Sequence, residues 1–123
     1  MKPPHIEQEM NKMYQERMVL CGANSYEEKY YFNEDFASLP DAIKDELKIM
    51  CVLFTNEVGG VLTLEYEDDG TLCFQVTYAE DDFFFDEIGS ELKIRKLQRE
   101  KEELLQSLEL FYRVFFLNEA VEE

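Results

Sequence analysis

The sequence predicts a single α+β domain, in which an antiparallel β-hairpin packs against two helices. Residues 61–78 alternate apolar and polar side chains around an Asp-Gly turn, which is typical of a hairpin. Apolar residues recur at helical spacing on either side of it, at 40–57 and 86–117. The chain has 123 residues, 46% of them hydrophobic, which is enough for one packed core. We therefore treat residues 1–123 as one domain.

Helical spacing begins near the N-terminus, where Ile6, Met10 and Met13 recur at steps of four and three. We expect an amphipathic helix that extends to about Glu16, preceded by a few mobile residues. Residues 18–21, written MVLC, either continue this helix or begin a strand.

The next segment supports two predictions. Ser25 and Glu28 have the spacing of a capping box, which favours a helix. The letters KYYF that follow have high strand propensity. The alternative to a helix is therefore a hairpin that pairs residues 18–23 with 28–32 and adds an N-terminal strand to the sheet.

Residues 40–57 carry consistent helix signals. Pro40 suits a first helical position, and Asp41 places negative charge in the first turn. An apolar stripe then follows, made of Ile43, Leu47, Met50 and Phe54. The Gly59-Gly60 pair ends the helix, and the hairpin of residues 61–78 comes next.

One long C-terminal helix is predicted at 86–117. Its apolar residues fit heptad positions, and they are Ile94, Leu97, Leu104, Leu108, Phe111 and Phe115. Lys101 interrupts this row. The last turns are apolar on most sides, so we expect that end to be buried in its own domain or against another copy.

The joint between hairpin and helix reads YAEDDFFFDEIG, residues 78–89. We expect Asp86 to be the helix N-cap and the acids before Phe83 to lie in a solvated loop. The consecutive side chains of Phe83, Phe84 and Phe85 cannot all point the same way. One or two of them are expected in the core and the remainder outside.

The net charge of −16 argues against direct nucleic-acid binding and against anionic membranes. The first residues lack the apolar core of a signal peptide, and no apolar run is long enough to span a bilayer. The cysteines Cys21, Cys51 and Cys73 lie in apolar runs and are typical of buried thiols. A cytoplasmic location is therefore expected.

No motif in the chain predicts a metal, a cofactor or a catalytic site. The stretch EYEDDGTL lacks the spacing of a calcium loop. A zinc site is not indicated either, because the chain has a single histidine, His5, and its cysteines lack CxxC spacing. The chain contains no GxSxG, Walker or GxGxxG motif. A small enzyme that uses paired carboxylates remains an alternative, because acids are abundant.

Three stretches together resemble an uncharacterised family of short acidic bacterial proteins. They are ELKIMCVLFTNEVGGVLTLEYEDDG at 46–70, DEIGSELKI at 86–94 and LELFYRVFFL at 108–117. The resemblance extends over roughly residues 14–118. It implies a bacterial cytosolic protein, and it brings no known activity, ligand or site residue.

The sequence favours a non-enzymatic interaction protein that self-associates through its C-terminal helix. Residues 92–101 form a basic stripe, whereas residues 22–91 form a strongly acidic segment. In a homodimer, the basic stripe of one copy can meet the acidic segment of the other. The candidate interaction residues are Phe83, Phe84, Phe85, Arg95, Leu97 and Leu104. The alternative is an acidic inhibitor, or nucleic-acid mimic, that binds a basic partner protein.

Overall fold

The computed structural model describes residues 17–119. The helix predicted up to Glu16 and the expected mobile first residues lie outside this range. The strands are β1 (Met18–Asn24), β2 (Lys29–Phe32), β3 (Val61–Tyr66) and β4 (Leu72–Thr77). The helices are α1 (Asp41–Val58), α2 (Glu87–Glu100) and α3 (Glu102–Phe116), with a short 3-10 helix at Glu34–Phe36.

The four strands form one sheet in the order β2-β1-β3-β4, and every neighbouring pair is antiparallel. The predicted α+β class and the hairpin at 61–78 are confirmed. The chain leaves β2 at one edge, passes through α1 and returns as β3 on the far side of β1. Strands β2 and β3 consequently run parallel to each other with β1 between them.

The segment after β1 is a turn and a strand, so the hairpin alternative is confirmed and the capping-box helix is wrong. The Asn24 side chain accepts hydrogen bonds from the backbone N–H groups of Tyr26 and Glu27, which fixes the turn. Glu28 closes it with a φ of 54°. Pairing of β2 with β1 then satisfies the backbone groups that a helix would have used.

One face of the sheet is covered by the helices. Cross-strand pairs of that face, such as Cys21 with Leu64 and Ala23 with Leu62, are buried. Leu47, Cys51 and Phe54 of α1 complete the core against them. Helix α1 agrees with the predicted 40–57 within one residue at each end.

An aromatic cluster, made of Phe36, Tyr66, Tyr112 and Phe116, lies where the core meets α3. Phe36 lies 5.5 Å from the ring of Tyr66 and 4.8 Å from that of Phe116. The buried Tyr66 hydroxyl donates to the carbonyl of Leu108 at 2.9 Å, which ties β3 to α3. The apolar end of the chain is therefore buried mainly within its own domain, although Phe115 is 65% exposed.

The predicted helix at 86–117 is interrupted at Lys101, whose φ of −108° and ψ of 20° separate α2 from α3. The interruption has a tertiary cause. Helix α2 packs along α1, whereas α3 packs on β4 and the aromatic cluster, and a straight helix would not reach both. The Lys101 ammonium, bonded to Glu46 of α1 at 3.1 Å, holds the bend against α1.

Candidate functional site

Four large exposed hydrophobic side chains lie close together in sequence, just before and within α2. Phe83 is 87% exposed, Phe84 99%, Ile88 75% and Leu92 59%. Contiguous exposed apolar residues on a folded domain mark interaction surfaces more often than isolated ones do. We call these four residues the apolar run.

The loop that carries the two exposed phenylalanines is held in place by Tyr26 of the β1–β2 turn. The Tyr26 hydroxyl donates to the Asp82 carboxylate at 2.6 Å and accepts the backbone N–H of Ala79 at 3.0 Å. The hydrogen bond to Asp82 is the main reason that the pKa of Tyr26 is raised. The exposed rings are thus presented by a loop with defined hydrogen bonds.

Phe85 anchors the same loop from the other side. Its ring stacks on Tyr78 at 4.4 Å, and it is only half-buried. None of the three phenylalanines enters the core cluster, so the expectation that one or two of them fill the core is wrong. The inner face of β4 is instead occupied by Leu72, Phe74 and Val76, which lie in or against the core, and β4 packs on α3.

Helix α2 begins as predicted at the Asp86 cap, whose carboxylate accepts the N–H of Gly89 at 2.9 Å. Ile94 and Leu97 point inwards and pack against the core. At 100° per residue, Ile88, Leu92, Arg95 and Arg99 lie on the opposite face and point to solvent. We call this the outer face of α2.

The predicted interaction residues fall into two groups. Phe83, Phe84 and Arg95 are exposed, and Arg95 also pairs with Glu91 at 2.9 Å on the same helix. Leu97 packs against the core, and Leu104 is only 8% exposed. Apart from Phe115, the heptad row of the sequence is therefore the inward row of the helix pair, and Leu97 and Leu104 do not lie on the same surface as the apolar run.

Some of the basic side chains in residues 17–119 take part in no ion pair. Six pairs link basic and acidic side chains within residues 17–119. Lys93 pairs with Glu57, and Lys101 with Glu46, so both bridges clamp α2 to α1. In this part of the chain, four basic residues take part in no ion pair, and they are Lys29, Lys48, Lys96 and Arg99.

These four cations lie at two places. Lys96 and Arg99 belong to the exposed side of α2, beside the apolar run. Lys29 and Lys48 line a cavity of about 440 Å³ between the β1–β2 turn and α1. The positive charge that is not neutralised locally is therefore concentrated at two potential binding surfaces.

A second concave surface lies between α1 and α2. This groove of about 420 Å³ is mostly apolar, with Ile49, Leu53 and Leu97 along it, and the two lysine–glutamate bridges border it. Ile49 and Leu53 are more than half exposed. Nothing in the described residues indicates what would cover them.

The groups with the most perturbed pKa values lie in the packed interior. The thiols of Cys21 and Cys51 are fully buried and 3.9 Å apart, and this hydrogen-bonded contact together with burial raises the pKa of Cys51. Burial and the same thiols raise the pKa of Tyr30. Such groups are poor nucleophiles, because the ionised form is disfavoured.

Among residues 17–119, no group of three or more His, Cys, Asp or Glu side chains could hold a metal ion. No helix in that range is both long enough and apolar enough to cross a bilayer.

Sequence reasoning missed Tyr26 and the cavity beside the β1–β2 turn. Tyr26 contacts a residue 56 positions away, so no local pattern marks it as a tether. The exposure of Ile88 and Leu92 could have been read from their helical phase, since they lie opposite Ile94 and Leu97.

Comparison with known proteins gives one family and no closer relative. Searches of curated proteins and of solved structures found no match. The model of a family described as "Family of unknown function (DUF6145)" matches residues 17–120, which is most of the chain. The protein therefore belongs to this family of unknown function.

Proposed function

We propose that this protein is a non-enzymatic interaction protein that self-associates through the outer face of α2 and the loop before it. The observation that carries the proposal is the apolar run, whose four large side chains are between 59% and 99% exposed within ten residues of sequence. Leaving them in water forgoes roughly 1.5–3 kcal/mol of burial for each side chain. A partner that covers them recovers this free energy.

Preorganisation supports an interaction role for the loop. Tyr26 holds it through Asp82 and Ala79, and Phe85 holds it through the stack on Tyr78. The loop that carries Phe83 and Phe84 is therefore held in place before any partner arrives, which reduces the backbone entropy lost on binding.

Charge along α2 supports a second copy of this chain as the partner. The loop and first turn are acidic, with Glu80, Asp81 and Glu87 exposed, whereas the second half carries the exposed Arg95 and Arg99. If two copies of α2 pack antiparallel about a two-fold axis, Ile88 of one meets Leu92 of the other. The basic half of each helix then lies over the acidic loop of its partner, and every favourable contact occurs twice.

The absence of enzymatic activity is part of the same proposal. Of the side chains whose pKa values are raised furthest, Cys51 and Tyr66 are fully buried and only Tyr30 lines one of the described cavities, so the three do not converge on one place where a substrate could react. We also place the protein in the bacterial cytoplasm, a reducing compartment in which the adjacent thiols of Cys21 and Cys51 would stay reduced.

Self-association is tested by sedimentation velocity over a concentration series. We expect a concentration-dependent dimer that Ile88→Glu with Leu92→Glu abolishes, since the change buries two charges at the centre of the contact. The matched control is Ile49→Glu with Leu53→Glu, which alters two similarly exposed residues on α1. This control should leave the dimer unchanged, and urea unfolding confirms that both variants fold.

A charge-swap experiment tests the antiparallel geometry. Variant one carries Arg95→Glu and Arg99→Glu, and variant two carries Glu80→Lys and Asp81→Lys, which leaves the Tyr26–Asp82 contact intact. Each variant alone should dimerise at least tenfold more weakly, because like charges face each other. Their mixture should restore the dimer, because both contacts are then complementary.

Two results would contradict the proposed self-association. One is a chain that stays monomeric at every concentration reached, and the other is a dimer that Ile88→Glu with Leu92→Glu leaves intact. A monomer that instead captures a basic protein, with affinity that falls steeply as salt rises, would favour the acidic inhibitor or mimic.

A further inference from the structure

We propose that the cavity between the β1–β2 turn and α1 binds a small molecule that carries a phosphate group. The cavity has a volume of about 440 Å³, which is within the range of small-molecule sites. The hairpin forms one wall, with Ser25, Lys29 and Tyr30, and α1 forms the other, with Lys48 and Val52. This site is separate from the outer face of α2 and does not depend on self-association.

The two lysines are the first argument for an anion. Lys29 and Lys48 come from opposite walls, and neither forms an ion pair with any residue in 17–119. Their ammonium groups are thus available in a chain that has 28 acidic and 12 basic residues. Glu28 is the only acidic residue in the lining, so the cavity carries a local positive charge.

Neutral donors accompany the lysines. Asn24 uses its side-chain oxygen to accept from Tyr26 and Glu27, which leaves its NH₂ group to donate. Asn56 and Ser25 also line the cavity, and within the described residues no hydrogen bond engages their side chains. Lysine ammonium groups combined with amide and hydroxyl donors suit the several acceptor oxygens of a phosphate.

Part of the cavity lining is apolar and would contact the remainder of the ligand. Ala23 is 4% exposed, and the Val52 side chain and the Tyr30 ring line the same space. Thr55 is 5% exposed, and its hydroxyl donates to carbonyls of its own helix, at Cys51 or Val52. A ring or short carbon chain attached to the phosphate would contact these apolar side chains.

Isothermal titration calorimetry with ribose 5-phosphate and with inorganic phosphate tests the assignment. We expect saturable binding of ribose 5-phosphate with one site per chain, and weaker binding of inorganic phosphate, which lacks a carbon group to contact the apolar part of the lining. Lys29→Gln with Lys48→Gln should weaken binding at least tenfold. The matched control is Lys96→Gln with Arg99→Gln, which removes the same charge from α2 and should bind like the unaltered protein.

Further arms separate the possible sources of the phosphate. Flotation with vesicles of phosphatidylcholine, with and without phosphatidate, should show no protein on either, because the acidic surface repels an anionic bilayer. Amide chemical shifts should change around residues 23–30 and 48–56. The proposal is overturned by the absence of saturable phosphate binding, by equal affinity in the two double variants, or by binding of citrate but of neither phosphate ligand. Protein that floats only with phosphatidate would overturn the small-molecule assignment.

Discussion

Gly60, two residues after the end of α1, lies close to strand β4 and to the loop that carries Phe85. Its φ is +70°, and an added Cβ would lie 2.7 Å from the carbonyl oxygen of Thr77 and 2.9 Å from the Phe85 ring. Gly70 also has a positive φ, of +92°, but its Cβ would meet the flexible side chain of Arg113, at 2.8 Å. The two glycines therefore share backbone strain and differ in what surrounds them.

We predict that Gly60→Ala destabilises the protein more than Gly70→Ala does. Both should lose about 1–2 kcal/mol through the left-handed backbone, and Gly60→Ala should lose about 1–3 kcal/mol more because strand β4 must move. Urea unfolding measures the difference. Equal losses would show that the contact with Thr77 relaxes freely.

The half-buried thiol of Cys73 offers a pH-dependent readout. Burial first, and then its hydrogen bond to the Glu67 carboxylate, raise the pKa of Cys73 to about 11. A raised pKa means that the folded state favours the neutral thiol. This contribution to stability is complete below the ordinary thiol pKa and is lost as the pH rises through about 11.

We predict that iodoacetamide modifies Cys73 slowly at pH 8 and that the rate increases up to a pH of about 11. Glu67→Gln should accelerate the reaction at pH 8, because the carboxylate no longer opposes the thiolate. Asp68→Asn, which removes the same charge from the adjacent turn, serves as the control. Mass spectrometry of the modified peptide gives the rate, and identical rates in the two variants would contradict the role of Glu67.

At the scale of an element, α2 depends on a single side chain at its start. The Asp86 carboxylate accepts the N–H of Gly89, one of the helix donors that lack an intrahelical partner. We predict that Asp86→Ala costs about 1 kcal/mol of stability and removes the exchange protection of the Gly89 amide. Glu87→Ala should cost less, because it removes only a favourable charge near the helix end. Hydrogen exchange and urea unfolding distinguish the two, and equal effects would refute the cap.

Elements with strong local signals were predictable from the sequence. The Asp-Gly turn and the alternation around it specify the β3–β4 hairpin without reference to the rest of the chain, and the Asp86 cap was identified in the same way. Residues 25–32 were ambiguous, because a capping-box spacing and an aromatic strand pattern overlap there. Pairing with β1, which no local pattern contains, decided between them.

The remaining errors arise from tertiary contacts. Lys101 is neither proline nor glycine, so the separation of α2 from α3 follows from packing on α1 and β4 and not from local propensity. The same packing turns Leu97 and Leu104 inwards. Phe83, Phe84 and Arg95 are therefore exposed, whereas Leu97 and Leu104 lie on the inward row, and the assignment of these residues to an interaction surface stays a prediction.

At the scale of the whole molecule, the net charge of −16 destabilises the compact state through self-repulsion. We predict that the melting temperature of dilute protein rises as NaCl increases to about 1 M, where the Debye length is about 3 Å. The proposed dimer should respond in the opposite direction, because the same salt screens its attractive contacts. Thermal unfolding by circular dichroism, measured on the variant with Arg95→Glu and Arg99→Glu, isolates the first effect. A melting temperature that is independent of salt would show that surface repulsion is minor.

The hydrogen bond between Tyr26 and Asp82 spans 56 residues. Closing so long a segment costs conformational entropy that must be spent before the contact forms, so we expect this bond to form late in folding. A nascent chain that has completed β3 and β4 but has not yet docked the β1–β2 turn would carry Phe83 and Phe84 on an unfixed loop. Association would in that case be favoured only after the Tyr26–Asp82 contact has formed. Each copy would therefore reach its native state before it dimerises.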